Sequence, residues 1–154
     1  MLIQQQFTVG APLAAVWRYF ADVPAVAACM PGVERVEAVD ERTYEGALRL
    51  KVGPLGFRLS GRLIQQEIDG VGHTARLVVA AEDRALASVV NATMRLRLSE
   101  TTDGTAVAVE TDTNVLGKLG QFGQGVIKLA ADGVLKQFAA CVQQRLASSV
   151  PAEA

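Results

Sequence analysis

The 154-residue chain balances 15 Lys+Arg against 16 Asp+Glu, and 50% of it is hydrophobic although only 5% is aromatic. That length suits a single domain with a real core. The near-zero charge gathers no phosphate, which argues against nucleic-acid partners, and the apolar half argues against disorder. No apolar run approaches the roughly 20 residues that span a bilayer. The opening Met1-Leu2-Ile3-Gln4-Gln5-Gln6 has neither a basic region nor a cleavable apolar stretch, so the expected location is cytoplasmic. A mean hydropathy of +0.24 with so few aromatics leaves two readings. Either the core is unusually aliphatic, or some apolar surface lines something other than core.

Residues 2–9 read as a strand with Ile3, Phe7 and Val9 on one face and Gln4, Gln6 and Thr8 on the other. Pro12 opens a short helix whose apolar side is Val16, Trp17 and Phe20. Asp22 is placed to cap a second short helix carrying Val23, Val26 and Ala27, and Met30-Pro31-Gly32 stops it. From Val33 to Asn114 the period becomes two, broken by turn residues, as in an antiparallel meander. One strand runs from Tyr44 to Val52 with Tyr44, Gly46, Leu48, Leu50 and Val52 on a single face. After Gly53-Pro54-Leu55-Gly56 the next strand presents Phe57, Leu59, Gly61 and Leu63, and further strands fall near 73–81, 88–100 and 105–114.

Two hairpins permit register predictions. With Asp103-Gly104 as a two-residue turn, Arg97 faces Glu110, Arg95 faces Asp112, Leu98 meets Val109, and Met94 meets Thr113. With a Gly53–Gly56 turn, Lys51 opposes Arg58 and Arg49 opposes Ser60, with Arg62 beside them. From about Leu116 to Ser148 the period is helical. Leu119, Phe122, Val126, Ala130, Val134, Phe138 and Val142 form one stripe, on a helix about 45–50 Å long. Val150-Pro151-Ala152 ends it. Residues 1–150 thus form one domain and 151–154 a short tail.

Four segments carry a resemblance: Ala28-Cys29-Met30-Pro31-Gly32-Val33-Glu34, Lys51-Val52-Gly53-Pro54, Asp103-Gly104-Thr105, and Gly117-Lys118-Leu119-Gly120-Gln121-Phe122-Gly123. In this order the chain resembles the CoxG family, accessory proteins of carbon monoxide dehydrogenase and related molybdenum hydroxylases, within the START-like (SRPBCC) superfamily. The resemblance implies an α+β helix-grip fold, in which a seven-stranded curved antiparallel sheet wraps around a long C-terminal helix, with two short helices after the first strand. It implies a non-enzymatic protein holding a quinone- or lipid-like ligand in an apolar cavity. The partners it implies are molybdenum hydroxylase subunits, with peripheral contact at the inner face of the membrane. No cofactor is implied. Gly120 and Gly125 stand where relatives often carry Ala and Arg, so that arginine's role does not carry over. Longer relatives have a C-terminal extension linked to membrane attachment, which a chain ending at Ala154 is not expected to reproduce.

On that analogy the cavity is expected to be lined by Trp17, Phe20, Met30, Leu50, Phe57, Leu59, Met94, Leu119, Phe122 and Val126. Gly123 withholds volume there, and Thr111 offers a hydroxyl. The same residues also read as plain core. The glycines Gly46, Gly61, Gly117, Gly120, Gly123 and Gly125 read either as sites of close packing or as room for a ligand. Arg49, Lys51, Arg58 and Arg62 read either as solvated side chains or as a docking patch for an acidic partner or anionic membrane.

No catalytic or metal-ligating set emerges. His73 follows Gly70-Val71-Gly72 in a loop with no second His or nearby Cys. Glu110 and Asp112 share a face but are given arginine partners, unlike a catalytic dyad. Cys29 and Cys141 lie far apart in sequence, and Cys29 is expected to be a buried apolar thiol. The alternative function is a cyclase- or dehydratase-type enzyme of the same superfamily. A further alternative is a pure assembly factor that docks through the basic hairpin.

Overall fold

Period-two alternation produces seven strands in a computed structural model that describes residues 1–149. They are β1 (Leu2–Val9), β2 (Val33–Ala38), β3 (Thr43–Val52), β4 (Leu55–Asp69), β5 (Thr74–Asp83), β6 (Ser88–Thr101) and β7 (Gly104–Leu116). They form one antiparallel sheet in the order β1-β7-β6-β5-β4-β3-β2. Between β1 and β2 lie the short helices α1 (Leu13–Ala21) and α2 (Val23–Cys29). The Asp22 carboxylate caps α2 by accepting the Ala25 N–H at 3.3 Å, as the sequence predicts. The closing helix α3 spans Gln124–Ser149. Val150-Pro151-Ala152 and the 151–154 tail lie outside the described residues.

Gly46 and Gly61 face each other across β3 and β4. A Cβ on Gly46 would overlap the Arg35 carbonyl oxygen, and one on Gly61 the Ala80 carbonyl oxygen. These glycines are therefore points of close backbone approach, beside the irregular β2–β3 pairing between Val33 and Arg35, where the sheet bends.

Apolar side chains bury in two separate clusters. The first joins Val9, Val16, Cys29, Leu98, Val107, Val109, Phe138, Val142 and Leu146. It docks the C-terminal half of α3 and both short helices onto β1, β6 and β7. The second, at the other end of α3, joins Val52, Phe57, Leu59 and Leu119. Ser88 ties this end together. Its hydroxyl donates to the Leu86 carbonyl and accepts the Leu119 N–H, both at 3.0 Å, while the residue is 1% exposed. Replacing Ser88 by Ala strands a buried N–H, and is expected to cost about 1–3 kcal/mol in denaturant unfolding; a change under about 0.5 kcal/mol would refute that role.

Four expectations are corrected. The closing helix does not start near Leu116. Gly120–Phe122 form a single 3-10 turn, Gly123 adopts φ 85°, and α3 begins at Gln124, about 39 Å long at its 26 residues. A left-handed φ suits glycine and ends the turn, so Leu119 and Phe122 belong to a different segment from Val126.

Both hairpins are slid by two residues. Val52 pairs with Leu55, so Arg49 opposes Arg58 and Lys51 opposes Gly56. Thr101 pairs with Gly104, so Arg95 opposes Glu110, Leu98 opposes Val107, and Met94 opposes Thr111. A Cβ on Gly104 would overlap the Val9 carbonyl oxygen. That glycine serves the approach of β1 to β7 and lies in the strand, and Thr102-Asp103 make the turn. A two-residue slip preserves every face.

Cys29 is not a thiol: it forms a disulfide with Cys141 across 112 residues, fastening α2 to α3. Finally, Val126 is 39% exposed and Leu129 72% exposed, so the first turns of α3 stand away from the sheet.

Candidate ligand-binding site

The inward positions of the central strands are apolar by alternation. Leu63 on β4, Leu77 and Val79 on β5, and Ala92 and Met94 on β6 run in register across the sheet, with Leu48 on β3 in a separate row. None of them is fully buried. They belong to the buried set of neither cluster, although Met94 packs against the first, and Ile127, Ala131 and Val134 of α3 are likewise half-buried. In a sealed core such positions lose nearly all their accessible surface. Here the inner face stays open in the middle and is closed at both ends.

The expected cavity residues divide between those ends. Trp17, Phe20, Met30 and Met94 pack against the first cluster. Phe57, Leu59 and Leu119 are buried in the second, with Leu50 and Phe122 packed on it. The Phe57 and Phe122 rings meet edge-on at 6.3 Å. Thr111 is half-buried on the inner face of β7, opposite Met94 and Ile3. Gly123 is exposed, with no atom near the position of a Cβ, and Val126 lies at the surface. Trp17 and Phe57 thus mark opposite ends and do not share one wall.

Sequence reasoning missed Gln65. It continues the inward series Phe57, Leu59, Gly61, Leu63, pairs with Leu77, and is 7% exposed. Its backbone N–H donates to the Arg42 carbonyl at 2.8 Å, and its carbonyl accepts from Arg42 Nη1 at 3.5 Å. Its carboxamide makes no hydrogen bond among the described residues. The signal was the unbroken alternation, which puts an amide where a Leu is expected.

His73 sits in the β4–β5 turn as expected, at φ 56°, its ring edge-on to Trp17 at 5.4 Å. Arg95 pairs with Glu110 at 3.6 Å, whereas Asp112 lies 4.0 Å from the N-terminal ammonium. Asp83 is tied at 2.8 Å by the Arg58 N–H and at 3.0 Å by the Leu86 N–H. These bonds, the Arg58 one foremost, hold its carboxyl below the usual carboxylate range. A depressed pKa contributes stability above the unfolded value of about 3.9 and loses it as pH falls through the folded one. Stability is therefore expected to drop below about pH 4, and Asp83→Asn to flatten that limb of an acid unfolding curve. An unchanged limb would count against it.

The basic hairpin is largely neutralised from within. Glu34 takes Arg49 Nε on one carboxylate oxygen at 2.5 Å and Arg58 Nε on the other at 2.6 Å. The hydrogen bond from Arg58 leads in holding the Glu34 carboxyl low. Arg62 pairs with Glu45 at 2.7 Å. Of the four expected docking residues, Lys51 alone has no acidic partner among the described residues. Two open grooves, of about 1080 and 1000 Å³, lie on the outer face: one over β1, β7, β6, β5 and β4, the other beside this hairpin. In the first, Arg76 lies directly opposite Arg95, and its buried Nε has no partner.

An antiparallel sheet gripping a long helix is the START-like fold. The solved structures agree on the fold. A conserved protein from Geobacillus kaustophilus superposes with a TM-score of 0.88 at 19% identity, covering 97% of each chain. A START superfamily protein from Mycobacterium smegmatis gives 0.71 at 11% identity, covering 96% of this chain and 97% of that one. A Streptomyces aromatase/cyclase gives 0.67 at 16% identity, covering 99% and 96%. No curated protein matches the chain. Within this class the profile of the carbon monoxide dehydrogenase CoxG family matches residues 6–147, and the chain belongs to that family.

Proposed function

We propose that this protein is a non-catalytic carrier that holds a hydrophobic, quinone- or lipid-like molecule between sheet and helix and serves a carbon monoxide dehydrogenase-like molybdenum hydroxylase. Its role there is delivery, maturation or membrane recruitment. One observation carries the ligand: a continuous apolar inner face that stays half-exposed between two separate cores. Family membership carries the hydroxylase. Organic extraction of freshly purified protein, followed by mass spectrometry, is expected to release a stoichiometric apolar molecule. Protein that neither retains nor takes up any such molecule would sink the proposal.

The enzyme alternative draws on fold likeness to the aromatase/cyclase, which by itself carries no chemistry. The proton-carrying groups at inward strand positions are Tyr44 and Asp83, and Asp83 is committed to backbone N–H groups. An acid–base pair needs a second free group there.

Docking through Arg49, Lys51, Arg58 and Arg62 depends on releasing the arginines from Glu34 and Glu45. Glu34→Gln is expected to raise binding to anionic phosphatidylglycerol vesicles several-fold at low salt. Unchanged binding would remove the patch from the reading.

No described helix is long and apolar enough to cross a membrane. The carrier reading places the protein at the inner membrane face, whereas a Cys29–Cys141 bond persists best in an oxidising compartment. Alkylation of intact cells before lysis would separate these locations, because only reduced cysteines take the label.

A further inference from the structure

Gln65 and Tyr44 form a polar corner on the inner face, apart from its other polar groups: Asp83, Thr111 and Gln5, which donates to Asp132 of α3 at 2.9 Å. Tyr44 pairs with Leu63 across β3 and β4, and Gln65 is two residues beyond Leu63 on the same face. The two side chains are therefore diagonal neighbours, about 7–8 Å apart at the backbone and within mutual reach of one bound group. Among the described residues neither side chain has a hydrogen-bond partner. Gln65 is more than nine-tenths buried, yet its amide atoms are not walled in by protein. A buried amide without a partner is destabilising. An inward Leu at this position would continue the pattern of Leu59 and Leu63 without that cost. The polar group is explained if something other than protein completes its hydrogen bonds.

The surroundings define what that is. Among the described residues no Lys, Arg or His occupies an inward strand position. Asp83 is the one inward acid, and it is bonded to backbone N–H groups. The cations nearest this face are already engaged, Arg42 by the carbonyls of Gln65 and Gln66 and Lys128 of α3 by Asp132, so a carboxylate or phosphate head would have to compete for its counter-charge. An amide and a phenol instead match a neutral carbonyl or hydroxyl, which can accept from the amide N–H₂ or the phenol O–H. Thr111 lies in the same cross-strand row as Gln65, beyond Leu77 and Met94. Three strand spacings put it about 14 Å away, too far to share one head group.

We infer that Gln65 and Tyr44 bind the head group of a neutral, carbonyl- or hydroxyl-bearing apolar molecule and discriminate against anionic lipids. The inference rests on the ligand-binding reading above and names its ligand class. The test is displacement of Nile red from the full chain at pH 8 by 1-dodecanol, dodecanoate and dodecane. The wild type is expected to prefer 1-dodecanol over dodecanoate by roughly tenfold or more. Gln65→Leu is expected to weaken 1-dodecanol roughly tenfold and leave dodecane unchanged, while its Tm stays level or rises. Tyr44→Phe is expected to weaken 1-dodecanol several-fold, as an independent variant of nearly identical shape. Equal affinity for dodecanoate, or 1-dodecanol binding unaltered in both variants, would overturn the head-group assignment while leaving the carrier reading intact. Failure of the wild type to take up Nile red or any of the three probes would overturn both.

Discussion

Reducing the Cys29–Cys141 bond is expected to lower the melting temperature by roughly 4–16 °C. The bond closes a loop across 112 residues and joins the last residue of α2 to the middle of the C-terminal half of α3. Cross-links of that reach typically contribute about 2–4 kcal/mol, chiefly by restricting the unfolded chain. For a domain of this size each kcal/mol shifts Tm by about 2–4 °C. Cys29 is 4% exposed within the first cluster, so a Cys29→Ala, Cys141→Ala variant keeps most of the packing and is expected to match the reduced protein. Calorimetry with and without reductant reads both. A melting temperature indifferent to reductant would show that the bond contributes nothing to the fold.

The second large effect concerns the core beneath the β3–β4 hairpin. Phe57 is 1% exposed and packs edge-on against Phe122. Phe57→Ala removes a whole ring from a small cluster and is expected to cost about 3–5 kcal/mol in denaturant unfolding. Val126 shares the sequence stripe with Phe122 but is 39% exposed, so Val126→Ala is expected to change stability by less than about 0.5 kcal/mol. Equal costs at the two positions would mean that the closing segment is one continuous packed helix, contrary to the break at Gly123.

Much of the fold was legible because alternation and capping are properties of short stretches of chain. Tyr44–Val52 shows its inner face through Leu48, Leu50 and Val52, and Asp22 caps α2 where a short acidic side chain precedes an apolar run. Registers were not legible at the same resolution. Asp103-Gly104 is a good turn in isolation, but β1 crosses so close to Gly104 that the glycine is needed in the strand and the turn moves back. The charge pattern moved with it. The arginines expected to oppose a lysine and a serine oppose each other, and Glu34, from the β2 strand, settles between them.

The candidate site shows the same division. Apolar lining residues were found as a class, since stripes are visible in sequence, but their grouping was not. Trp17 and Phe57 belong to clusters at opposite ends of α3. Gln65 escaped notice because a lone amide after Leu63 reads as the end of a strand, whereas β4 continues to Asp69.

The sequence by itself determined the order of elements, the inward faces of β1, β3, β4, β6 and β7, and the motifs that place the chain in its family. It also located the aliphatic excess, a mean hydropathy of +0.24, on those inward faces. Only the tertiary structure decided the hairpin registers, the Cys29–Cys141 pairing, the split of the core into two ends and the isolation of the Gln65 amide between them. The reason is physical. Side-chain alternation follows from each residue's own backbone geometry, whereas register, pairing and burial depend on which backbone arrives across the sheet from a hundred residues away.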